Sequence, residues 1–84
     1  MDPDETFRLM LTAFGESSWD EAKEHAEALL RWLRIGGFPP QVTVGIQKRN
    51  LLFDFQDEWL NRVAADGVAR TIVRTASSKI EPAQ

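Results

Sequence analysis

Between Trp19 and Ile35 the chain carries more apolar surface than one neighbouring element can cover. At about 100° per residue, Trp19, Ala22, Ala26, Leu29, Leu30 and Leu33 share one helical face. His25, Ala28, Trp32 and Ile35 continue that face on one side. The combined arc is about 220°, broken by Glu21, whereas one supporting layer needs only a little over ~100°. Such a helix is either central, packed from two sides, or it offers a second face to another molecule. Its ends are marked as well. Ser18-Trp19-Asp20-Glu21 has the form of a Ser-x-x-Glu capping box. Gly36 and Gly37 supply a left-handed stop, and Pro39-Pro40 forbid continuation. Phe38 is expected to fold back on the last turn near Leu33 or Trp32.

The segments on either side are read from their own periods. Asp2, Pro3 and Glu5 mark a helix start, and Phe7, Met10, Leu11 and Phe14 give it one apolar stripe ending at Gly15. After the prolines the period changes to two: Val42, Val44 and Ile46 alternate, then Leu51, Phe53 and Phe55. Folding about Lys48-Arg49 sets Ile46 opposite Leu51, Val44 opposite Phe53 and Val42 opposite Phe55, a hairpin that must lie against helices. A last helix is expected from the Asp54–Asp57 region to about Thr75. Leu60, Val63, Ala64, Gly67, Val68, Thr71 and Ile72 form its buried face, with Trp59 at the margin. Gly67 inside it implies a close backbone approach or a break. The fold class is therefore α+β, in the order α-α-β-β-α. One domain covers 1–76, and 77–84 is a flexible polar tail.

Residues Gly15 to Leu30, "GESSWDEAKEHAEALL", are similar to the middle of one tetratricopeptide repeat and depart from it at Lys23, Ala26 and Leu29. Such repeats stack on neighbours, for which a chain of 84 residues has no room. The likeness implies the packing rules of a helical hairpin and leans toward binding over catalysis.

Composition narrows the function classes. There is no cysteine, so thiol chemistry, disulfides and cysteine metal sites are excluded. The N-terminal stretch lacks a signal-peptide pattern, and no apolar run reaches the ~18 residues of a membrane span. A cytoplasmic protein without membrane contact is expected. Net charge is −3, with eight acids against four bases in residues 1–47 and six bases against five acids in 48–84. That balance argues against wholesale attraction to nucleic acid. Lys48, Arg49 and Arg74 remain the basic residues of an alternative reading, a regulator of nucleic-acid transactions acting through them or through acidic mimicry.

His25 has Glu21 four residues before it, but no third ligand is identifiable, so no metal, cofactor or catalytic residue is expected. The tryptophan of the wide arc carries the leading reading. Trp32, with His25, Ala28, Ile35 and Phe38 about it, is the candidate protein-binding patch. The expected function is a small non-catalytic interaction module that binds a protein partner or itself as a homo-oligomer.

Overall fold

A computed structural model describes residues 1–46 and 51–80. The domain is predominantly helical. Helix α1 spans Pro3–Gly15, α2 Trp19–Arg34 and α3 Glu58–Ile80; two short strands, β1 (Thr43–Ile46) and β2 (Leu51–Asp54), lie between α2 and α3. Helix α2 packs against both α1 and α3, which barely meet each other. The wide apolar arc is thus met by a central position: Ala22, Ala26, Leu29 and Leu33 are buried between two neighbours. The slab measures 42 × 36 × 19 Å, its thin dimension about two helix diameters. Its depressions are accordingly grooves between helices.

Local signals set the helix ends. Asp2 caps α1, accepting a hydrogen bond from the Glu5 amide at 3.2 Å, and Pro3 stands in the first turn. The stop differs from expectation. The left-handed residue is Ser17, at φ 59°, and Gly15 is still helical. The amides of Ser17 and Ser18 donate to the carbonyls of Phe14 and Ala13, a Schellman arrangement that spends the glycine-like conformation on a serine. Ser18 heads α2 without a side-chain cap bond, so the expected capping box is not formed. The chain turns there so tightly that Ser18 also closes α1.

Helix α3 departs most from its expected face. The buried residues are Asn61, Ala65, Ala69, Ile72 and Ala76, a stripe rotated by roughly a third of a turn. Leu60, Val63 and Trp59 are left on the outside. Ala65, Ala69 and Ala76 on α3 are fully buried, as are Ala22 and Ala26 on α2, and small side chains on both faces suit a close approach of the two helices. Residues 77–80, assigned in advance to the tail, are helical. Ala76 is fully buried and Lys79 lies 5.9 Å from the Trp19 ring, so the last turns have partners. Residues 81–84 lie outside the described residues.

Gly67 neither breaks α3 nor meets a close neighbour, because a Cβ built there has nothing within 4 Å. Gly67→Ala is therefore expected to stabilise the domain by about 1 kcal/mol, raising Tm by roughly 4–8 °C. A thermal melt showing no gain would mean that Gly67 is held for a role outside the folded monomer.

The strands pair antiparallel, Thr43 opposite Asp54, Val44 opposite Phe53, Gly45 opposite Leu52 and Ile46 opposite Leu51. The ribbon does not lie along the helices as a second layer. Val42, just before β1, is buried, and Phe55, just after β2, packs against the core, but Val44 is already exposed. Among the described residues the ribbon is anchored at its open end. The connecting residues 47–50, with Lys48 and Arg49, lie outside the described residues.

The anchor is polar. Asn61, 7% exposed on α3, accepts from the Val42 amide at 2.9 Å and donates to the Phe55 carbonyl at 3.1 Å. One side chain thereby holds both strands, whose own link here is Phe55 N–H to Val42 C=O at 3.3 Å. Gln41 reinforces it, donating from Nε2 to Phe55 at 2.7 Å while its backbone amide donates to Asp4 of α1 at 2.7 Å. Helices α1 and α3 and the open end of the ribbon thus meet at one junction. An apolar pattern reads a lone Asn as an interruption; its phase with Ala65 and Ala69 was the available signal.

Candidate protein-docking surface

The corner after α2 is built around Trp32. Ile35 closes the helix, Gly36 takes φ 89°, and the amides of Gly36 and Gly37 return to the carbonyls of Leu33 and Trp32. Gly36 meets the conformational demand. Gly37 meets a spatial one: a Cβ there would fall inside the Trp32 indole, against Cδ2, Cε2 and Nε1. The half-buried ring therefore lies on bare backbone, and its Nε1–H donates to the Phe38 carbonyl at 2.7 Å. A tryptophan with its one donor satisfied in this way is fixed in place.

Helix α3 locks the corner from the other side. The Arg62 guanidinium donates to the Leu33 carbonyl at 2.9 Å and to the Gly37 carbonyl at 2.7 Å. It supplies positive charge where the α2 dipole is negative and satisfies two carbonyls at the helix end. Nothing in the spacing of the sequence marked Arg62 for this role, since its partners are backbone atoms more than twenty-five positions away or at that distance.

What covers Trp32 is therefore the backbone of its own corner. Phe38 does not fold back as expected. Its carbonyl binds the indole, and its ring is 72% exposed. Ile35 is 79% exposed beside it, and Trp59 on the first turn of α3 is 66% exposed. Val63, one turn beyond Trp59, is exposed too and lines a groove with Leu33 and Arg34. Arg62 sits on the same stretch of α3 and ties it to this corner.

Of the five residues expected to form the patch, Ile35 and Phe38 are its open part and Trp32 is its support. His25 and Ala28 are half-buried further back along α2. His25 and Glu21 form no ion pair, and among the described residues no three His, Asp or Glu side chains gather as a metal requires. Trp59 and Val63, assigned in advance to the margin and the core, belong to the outer surface instead.

Arg74, from the alternative basic set, lies on α3 in a groove with Leu30, Arg70 and Val73. An ion pair also lies on the outer face of α1. There Arg8, hydrogen-bonded to Glu5, holds that carboxyl below its ordinary range and has its own pKa raised by the same bond. Among the described residues no helix is long and apolar enough to cross a membrane. The chain matches no protein-family model, no curated protein and no solved structure.

Proposed function

We propose that this domain is a non-catalytic interaction module that docks a protein, a second copy of itself first of all, through the apolar end formed by Ile35, Phe38 and Trp59. We read the ribbon as a folded arm of an α+β domain and a reducing compartment such as the cytoplasm as its setting. The observation that carries the reading is the exposure of these three large side chains, 79%, 72% and 66%, two on the rigid corner and one on the first turn of α3. Scattered apolar residues on a surface are ordinary, but a cluster on a preorganised support is the usual form of an interface. Arg62, Gly37 and Trp32 hold the corner whether or not anything is bound, so docking requires little reordering.

The test is a concentration series by sedimentation. The native chain is expected to gain mass from the micromolar range upward, and Ile35→Glu with Phe38→Glu to remain monomeric. Both side chains are outside the core, so the double variant should keep its circular dichroism and melt within about 0.5 kcal/mol of the native chain. A native chain that stays monomeric throughout the series would end the self-docking reading.

A further inference from the structure

Three adjoining depressions run along the outer side of the α2–α3 contact, of about 310, 290 and 290 Å³, and Leu30 lines all three. Leu30, Val63 and Val73 form an apolar floor. The rims carry five arginines, Arg31 and Arg34 from α2 and Arg62, Arg70 and Arg74 from α3, against two acids, Glu27 and Asp66. On a chain whose net charge is −3, this is a local reversal of sign.

Two of the five arginines are occupied. Arg62 binds the α2 corner, and Arg70 pairs with Asp66 at 2.7 Å. Arg31, Arg34 and Arg74 have no ion pair or hydrogen bond from their side chains among the described residues, and all three are exposed. Three free guanidinium groups therefore flank an apolar floor.

We propose that this groove docks an acidic amphipathic helix of a partner protein. The floor would take the partner's apolar stripe and the free arginines its flanking carboxylates, where planar two-pronged pairing suits arginine. The length fits: Arg62 and Arg74 are about 18 Å apart along α3 at 1.5 Å per residue, just over three helical turns. That is room for apolar anchors at i, i+4, i+7 and i+11. A nucleic-acid backbone would use the arginines but leave Leu30 and Val73 facing phosphate and water, so the floor decides for the helix. The inference does not rest on docking at the Ile35–Phe38 end, which uses other side chains.

The probe is a fluorescein-labelled helical peptide of about thirteen residues, with leucines on one stripe and glutamates flanking it. Fluorescence anisotropy should show saturable binding that weakens about tenfold or more between roughly 50 and 300 mM salt. Arg31→Glu with Arg74→Glu should abolish it without changing the melt, and Ile35→Glu with Phe38→Glu should leave it intact. A peptide with lysines in place of the glutamates should not bind. The proposal is overturned by any of three results: no binding of the glutamate peptide, equal binding of the lysine peptide, or tighter binding of a single-stranded oligonucleotide of the same charge.

Discussion

Replacing Asn61 with leucine is expected to cost about 2–4 kcal/mol, although the substitution keeps the branching at Cγ and adds apolar surface. The side chain is 7% exposed and makes two bonds, accepting from Val42 and donating to Phe55. The two losses are unequal. The Phe55 carbonyl keeps the Gln41 amide at 2.7 Å, whereas Val42 N–H loses the acceptor it had at 2.9 Å. An orphaned buried donor costs about 1–3 kcal/mol, more than an average hydrogen bond contributes. A chain of 84 residues is expected to be stable by only about 4–13 kcal/mol, so the variant should lose a large share of it.

Urea unfolding measures the total, and amide exchange at Val42 and Phe55 locates it. Protection at Val42 should fall in Asn61→Leu while the α1–α2 contact stays protected. Because Gln41 and Asn61 share the Phe55 carbonyl, Gln41→Ala with Asn61→Leu should lose more than the two single costs combined. A loss below about 1 kcal/mol for Asn61→Leu, or simple additivity, would show that the junction is held by the burial of Val42 and Phe55 alone.

Asn61 also marks where the sequence was legible and where it was not. Helix starts and ends could be read in part, since Gly15 is not the stop of α1 and Ser18 makes no side-chain cap. Asp2 caps Glu5 three residues on, and Gly36 provides the positive φ that stops α2. The apolar arc of α2, wider than one neighbour can fill, left a central place and an outward face both open, and the fold takes the central place. The face of α3 could not be read. Counting large side chains favoured Leu60 and Val63, but close packing of two helices selects small residues, and Ala65, Ala69 and Ala76 are the buried ones. That rotation carried Trp59 and Val63 to the surface and Asn61 into the core. The arginine roles were invisible for a different reason. Arg62 binds backbone carbonyls brought near only by the fold, and Arg31, Arg34 and Arg74 become one rim only when α2 and α3 lie side by side.

Trp32 was singled out as the centre of a binding patch; in the fold it lies half-buried as the support of the corner. Its neighbours Ile35 and Phe38 face solvent because the corner is held beneath them, by the indole from one side and Arg62 from the other. The exposure of these two side chains therefore depends on Gly37, which lets the indole lie on the backbone.

Gly37→Ala is accordingly expected to cost about 3 kcal/mol or more, the upper range for forcing a methyl group into a packed site. The backbone itself raises no objection, since only Gly36 of the pair has a positive φ. The obstacle is the rigid Trp32 ring, into which the new methyl group would project. Moving the ring would break its bond to Phe38 and disturb the carbonyl that Arg62 holds at Gly37. A double-mutant cycle separates these causes. In a Trp32→Leu background the cost of Gly37→Ala should fall below about 1 kcal/mol, because the side chain it strikes is gone. Gly36→Ala should cost about 1–2 kcal/mol with or without Trp32, because its penalty lies in the left-handed backbone and the space beside it is open. Adjacent glycines would then respond to one tryptophan in opposite ways. A Gly37→Ala cost that persisted without Trp32 would mean that the corner is held by something other than the ring's approach to the backbone.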